Sequence, residues 1–293
     1  MKLLIALMVA LACAGGDLRF KPAEDGGFLF DTGVLRGTLR AGGKSVGLSS
    51  VVHIPSGITI SRGMGLFSPY RVFSAGRRYG NGAWNWPSDA TLRDDGSVEV
   101  RWPATEDRPF EMRAVYRWSG ADTLDLETSI RPQAELRAFE VFLSSYFAEQ
   151  FNNSLAYVRG EPDTGGKPGF LAAEQSRGVW QMFPRDADAL ALINDGRWKI
   201  PPNPVSWALM PALAAPLGLR RDAASGTTAI LMAPPRDCFA LATPHQTETH
   251  YSLYLSLFGR TIKAGETSRA RARLVVAASP SEGDILRLYR AYR

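Results

Sequence analysis

From Phe28 onward the chain alternates apolar and polar residues with a period of two, the signature of strands with one dry and one wet face. Phe28 to Arg40 and Lys44 to Ile54 read as two strands, and Ala41-Gly42-Gly43 between them is a hairpin signal. Asp94-Asp95-Gly96 turns the chain into Ser97 to Trp102. Phe110 to Trp118, the Ser119-Gly120-Ala121-Asp122 turn and Thr123 to Arg131 then form the next pair. In the last of these, Leu124, Leu126 and Ile130 alternate with Asp125, Glu127, Ser129 and Arg131.

The segment Phe139 to Phe147 is more informative. Phe139, Val141, Leu143 and Phe147 fall on one face, and Glu140, Phe142, Ser144 and Tyr146 on the other. A face that combines a carboxylate, a hydroxyl and two aromatics is not simply solvated; it predicts a half-buried polar cleft. Farther on, strand-like pieces flank Pro184-Arg185-Asp186, and Pro201-Pro202-Asn203-Pro204 is a second break. Trp207 to Leu219 reads as strands interrupted by Pro211 and Pro216, with a short helix as the alternative. His250 to Phe258 and Ser268 to Ala277 read as a closing strand pair. Helical spacing of Ile285, Leu288, Tyr289 and Tyr292 after Ser279 or Ser281 predicts a capped C-terminal helix.

Many successive strands with large irregular insertions predict an all-β fold: a large antiparallel two-sheet β-sandwich with a short C-terminal helix. At 293 residues and 45% hydrophobic the chain can bury a large core, and no repeat or linker divides it. The expectation is therefore one sandwich domain over 15–293. Residues 1–14 read as a signal peptide: Lys2 supplies the charge, Leu3 to Leu11 the apolar core and Ala12-Cys13-Ala14 the cleavage site. Release to the periplasm or outside is the expected localisation, with a lipid anchor on Cys13 as the alternative. No later run is long and apolar enough for a transmembrane helix. Cleavage after Ala14 leaves Cys238 alone, which excludes a disulfide framework and makes Cys238 a small buried apolar residue.

The net charge is +5, and 28 of the 34 basic residues are arginine. They are dispersed rather than gathered into a run that tracks a phosphate backbone, which argues against nucleic acid. Forked guanidinium groups suit carboxylated or sulfated ligands.

Candidate chemistry concentrates in three places. Gly63 to Pro87 sets Tyr79, Trp84 and Trp86 beside Arg71 and Arg78 on a glycine-jointed backbone, a platform for a polar, ring-shaped or anionic ligand. A long connection pinned by its aromatics is the plainer alternative. In His245 to Tyr254, a strand from Glu248 would place Glu248, His250, Ser252 and Tyr254 on one face, so that Glu248 and His250 act as base and acid. As metal ligands, His245 would point away from Glu248 and His250, and no zinc or calcium signature is present; no metal and no cofactor are expected. Glu140, with Tyr146 on its face, is the expected second carboxylate. Its alternative is an ion pair with an arginine of a neighbouring strand. A tyrosine beside an arginine or histidine can instead carry out β-elimination on a uronic acid, the cation neutralising the carboxylate. His53, at a strand end before Ile54-Pro55, is a candidate for the rim of the site. No G-x-S-x-G elbow, Walker loop or dinucleotide fingerprint is present.

The segments YRWSGADTLDLETSI (116–130), FEVFLSSYF (139–147) and YLSLFGRTIKAGETSRARARLVV (254–276) resemble strand phrases of the galactose mutarotase-like β-supersandwich superfamily. That superfamily includes sugar epimerases and the sandwich domains of polysaccharide lyases and glycoside hydrolases. The resemblance implies a supersandwich fold and a carbohydrate partner, an oligo- or polysaccharide that an arginine-rich site would accept in acidic form. The mutarotase set of two histidines, a carboxylate and a glutamate base has no counterpart in the placement of His53, His245 and His250. The expected function is a secreted carbohydrate-active enzyme, a glycoside hydrolase or polysaccharide lyase using acid–base chemistry. A non-catalytic glycan-binding protein on the same scaffold and a sugar epimerase are the alternatives.

Overall fold

A computed structural model describes residues 16–42 and 46–293. The segment read as a signal peptide, with Cys13, lies outside them, as does part of the Ala41–Gly43 turn. The described residues form an all-β sandwich with a nine-stranded, a seven-stranded and a five-stranded sheet. The sequence predicts two sheets; the third comes from the first strands, which pair among themselves between Asp17 and Thr59. Two isolated bridges, Leu48 with Leu66 and Ser61 with Phe147, tie this small sheet to the seven-stranded layer.

The main core fills the space between the layers. Met112, Tyr116, Leu124, Leu126, Ala272 and Leu274 come from the nine-stranded sheet; Val72, Phe139, Val141, Leu143, Leu253, Leu255 and Leu257 from the seven-stranded one; Phe30, Leu35 and Leu48 from the third. Burying each large apolar side chain stabilises the fold by about 1.5–3 kcal/mol, so this alternating pattern outweighs every local preference.

The predicted division of the Phe139–Phe147 faces holds. In the strand Leu136–Tyr146, Phe139, Val141 and Leu143 face the main core, whereas Phe142 and Tyr146 enter a second cluster on the opposite face of the sheet. The strands Ser68–Ser74 and Ser252–Ile262 flank it on either side. Cys238–Pro244 and Trp180–Pro184 continue the sheet beyond the latter.

Four expectations need correction. Phe28 to Arg40 is a hairpin, Phe28–Asp31 with Leu35–Arg40, because Gly33 takes a positive φ of 81° and Thr32 Oγ1 accepts from the Leu35 N–H at 2.8 Å. After Pro184 the chain forms a short helix, α1 (Ala187–Ile193), capped by Asp186. Ser252–Ile262 and Ser268–Ala278 are not paired: one belongs to the seven-stranded and the other to the nine-stranded sheet, so their connection crosses between layers. Residues 248–251 form a turn, and the strand begins only at Ser252.

The C-terminal helix, α2 (Glu282–Tyr292), forms as its pattern predicts. Ser281 and Asp284 make a reciprocal capping box. Ile285 and Tyr289 dock on Leu217, Leu219, Ile230 and Val275, on the outside of the nine-stranded sheet. Cys238 is fully buried in the core.

Candidate functional site

The outer face of the seven-stranded sheet carries a hollow of ≈ 450 Å³, within the range of small-molecule sites. Its floor is Phe142, Tyr146 and Tyr254 from adjacent strands, with Arg71 and Tyr70 beside them. Its wall is the segment from Trp198 to Trp207, and Trp180 and His250 stand at the rim. Phe142 stacks on Tyr254 with ring centroids 4.6 Å apart, and Trp198 meets Trp207 edge to face at 5.0 Å. Flat apolar walls of this kind match the C–H faces of a ring-shaped ligand.

Arg71 is the charged element of the floor. It is 5% exposed, yet its Nε and Nη1 atoms are buried without any hydrogen-bond partner in the protein. Its Nη2 reaches only the Tyr70 hydroxyl, at 3.4 Å. The guanidinium lies over the rings of Tyr70 and Trp198, 5.1 and 5.6 Å from their centroids. A buried guanidinium held by ring faces, with donors left over, is a costly arrangement that an anion would relieve.

The polar groups beside it are phenols and an imidazole. Tyr254 donates to the Tyr146 hydroxyl at 3.3 Å. Burial pushes the Tyr254 phenol up to about 12 and the Tyr146 phenol well above its ordinary value, so both are held protonated. Glu248 accepts from the His250 backbone N–H at 2.8 Å and lies 2.8 Å from its Nδ1 through Oε1. A carboxylate on Nδ1 fixes the Nδ1–H tautomer and leaves Nε2 as the acceptor. The imidazole packs against Trp180 at 5.0 Å and stands 6.4 Å from the Tyr146 ring.

The structure brings together Arg71, Tyr146, His250 and, through His250, Glu248. The remaining candidates lie elsewhere. Glu140 does not reach the hollow: its side chain is fully buried and bonded to Arg197 Nη1 at 2.8 Å. Burial raises its carboxyl, opposed by the Arg197 charge and hydrogen bond. The two-carboxylate arrangement with Glu248 is therefore absent; Glu140 is ion-paired, though with an arginine of the turn that bears Trp198 rather than of a neighbouring strand.

Tyr79 is a core residue, bonded to Ser74 Oγ at 2.9 Å and edge-on to Phe110 at 4.9 Å. Trp86 packs on Phe110 under the Arg108 guanidinium, which lies 4.1 Å from its ring. Arg78 donates to the carbonyls of Gly80, Asn81, Ile200 and Pro202, tying the Trp198–Trp207 wall to the sheet edge. His53 is buried beside Ser56, 2.7 Å from its hydroxyl, in the five-stranded sheet. Trp84 contributes indirectly, stacking 3.9 Å behind Tyr70. A Cβ at Gly82 would stand 2.8 Å from Trp84 Nε1 and 3.0 Å from Tyr70 Cδ2, so this stack requires glycine there.

Sequence reasoning left Trp180, Trp198 and Trp207 out of the site. The signal was present in the tryptophans bracketing Pro201-Pro202-Asn203-Pro204, but only the folded sheet shows which surface they cover. Among the described residues, no group of three His, Cys, Asp or Glu side chains is placed to hold a metal ion, and no helix is long and apolar enough to cross a membrane.

No protein-family model matches the sequence, and no curated protein matches it. Solved structures share its fold. A galactose mutarotase-like protein from Lactobacillus casei superposes with a TM-score of 0.55 at 9% identity, over 86% of this chain and 100% of that one. An alpha-N-acetylgalactosaminidase from Bifidobacterium bifidum gives 0.51 at 12% identity, over 95% of this chain but 38% of the other. A heparan sulfate lyase from Pedobacter heparinus gives 0.50 at 5% identity, over 90% of this chain and 37% of the other. At such identities the likeness is one of fold.

Proposed function

We propose that this protein is an exported carbohydrate-active enzyme of the polysaccharide lyase type, acting on a uronic-acid-containing glycan in the hollow above Phe142. The observation that carries the reading is Arg71: a buried cation with spare donors, flanked by Tyr146 and by the Glu248–His250 pair. The ligand's carboxylate takes the Arg71 donors, and its ring lies against Trp198 and Trp207. His250 Nε2 removes the proton on the carbon next to the carboxylate, and Arg71 stabilises the negative charge that develops there. The carbon–oxygen bond one carbon away breaks with its electron pair, a carbon–carbon double bond forms, and the Tyr146 phenol protonates the departing oxygen. Burial keeps that phenol protonated for its role as donor.

Two facts favour elimination over hydrolysis by paired carboxylates. Glu140, the natural second carboxylate, is sealed beneath Arg197. The charged and titratable groups that do reach the hollow are a cation, an imidazole and three phenols. The same scaffold occurs in a heparan sulfate lyase, which supports the reading at the level of fold.

The test is incubation with neutral, uronic and sulfated glycans, following ultraviolet absorbance and reducing ends together. Elimination predicts that both rise on uronic glycans alone. Reducing ends without absorbance would mean hydrolysis. Binding without turnover would leave the glycan-binding reading, which the aromatic walls also support.

A further inference from the structure

The turn from His245 to Tyr251, which carries Glu248 and His250, joins two adjacent antiparallel strands, Cys238–Pro244 and Ser252–Ile262. Both ends of that turn rest on one side chain from the opposite sheet. Arg220 lies near the end of Leu213–Arg221 in the nine-stranded layer and is fully buried. Its Nη2 donates to Thr243 Oγ1 at 3.1 Å on one strand, and its Nε to the Ser252 carbonyl at 3.1 Å on the other. Its Nη1 donates to the Phe151 carbonyl at 2.9 Å. Thr243 Oγ1 closes the set, 2.9 Å from the Ser252 carbonyl and 2.8 Å from Ser154 Oγ.

None of the three Arg220 hydrogen bonds goes to a carboxylate. Burying a guanidinium without a counter-ion is expensive, and an apolar side chain would serve packing better. Burial pulls this guanidinium down to about 9, opposed by the fields of Tyr254, Glu248 and Tyr251, groups of the candidate site or its turn. The rigid fork is suited to holding two strand ends at a fixed separation, which a single ammonium is not.

We infer that Arg220 is a positioning residue, whose fork on Thr243 and Ser252 sets the turn so that Glu248 holds the His250 imidazole toward the hollow. The inference rests on reading the Glu248–His250 pair as the proton-transfer group. On the outer side, the Arg62 guanidinium donates to the Thr249 carbonyl at 2.5 Å, so the turn is held from both faces.

The test compares Arg220→Met, Arg220→Lys and Thr243→Val with the unaltered protein. The nitrogen NMR shifts of His250, assigned with His250→Gln, report its tautomer. The unaltered protein should show the Nδ1–H form fixed by Glu248. Arg220→Met and Thr243→Val should shift it toward the Nε2–H form, and Arg220→Lys should fail to restore it. On a uronic glycan that is turned over, kcat should fall about 10- to 100-fold with KM little changed. Thr243→Val nearly conserves volume and keeps the test open where Arg220→Met does not fold. An unchanged tautomer in folded Thr243→Val, or full rescue by lysine, would overturn the inference. If no glycan is turned over, the lyase reading fails, and the His250 spectrum alone decides the positioning claim.

Discussion

Glu140 and Arg197 form an ion pair of 2.8 Å with both side chains fully buried, directly beneath the aromatic wall of the hollow. Arg197 also takes Asp195 through Nε and Nη2 and donates to the Ala138 carbonyl at 3.0 Å. The turn that bears Trp198 is thereby fastened to the sheet. Removing one partner leaves a buried charge under-compensated, Glu140 with no counter-ion or Arg197 with Asp195 alone, which costs up to about 3–5 kcal/mol. Glu140→Gln should lower the free energy of unfolding in urea by that order and loosen Trp198, weakening ligand binding. The double replacement Glu140→Leu with Arg197→Met should be less destabilised than either single change. A single variant as stable as the parent would remove the pair from this role.

Glu248 lies on an exposed turn, and its carboxylate holds the His250 ring. Glu248→Gln should keep the fold, seen as an unchanged melting temperature, while turnover falls about 10- to 100-fold. A fully active, normally folded variant would take Glu248 out of the mechanism.

Asp186 caps α1 by accepting from the Ala189 N–H at 2.9 Å, and it also accepts from Arg185 Nε. Burial works against its ionisation, but the Arg185 and Ala189 hydrogen bonds outweigh that and hold its carboxyl below the ordinary value. A depressed folded-state value means that the stabilisation is present above the unfolded carboxyl value, about 3.9. It is lost as the pH falls through the folded one. Asp186→Ala should cost about 1 kcal/mol at neutral pH. The gap from the parent, measured by denaturant unfolding across pH, should shrink in acid; a gap that widened there would contradict the capping role.

The Cys238 thiol is fully buried, and burial pushes it up to about 12. The native protein at pH 8 should leave Cys238 unmodified by iodoacetamide, whereas the urea-unfolded chain should be labelled at this residue. Mass spectrometry of the Cys238 peptide distinguishes the two, and rapid native labelling would show an open core.

Much of the architecture was legible in the order of residues. Period-two alternation marks strands because side chains on a pleated backbone point to opposite faces, and burial then fixes which face turns inward. The Phe139–Phe147 segment states both faces at once, and the C-terminal helix is announced by its cap and its helical spacing. Arg71, Tyr146, Glu248 and His250 were likewise visible as residue types able to hold and deprotonate an acidic sugar.

The sequence determined what depends on neighbours along the chain: strand periodicity, turn glycines, helix caps and the inventory of chemical groups. The tertiary structure alone decided what depends on strand pairing and layer. It sealed Glu140 under Arg197, sent Tyr79 into the core and packed Trp86 against it, brought Trp180, Trp198 and Trp207 around the hollow at Phe142, and placed Arg220 beneath the Glu248–His250 turn. Contacts between residues far apart in the chain are selected by the packing of whole sheets, and local pattern carries no record of which sheet will cover which.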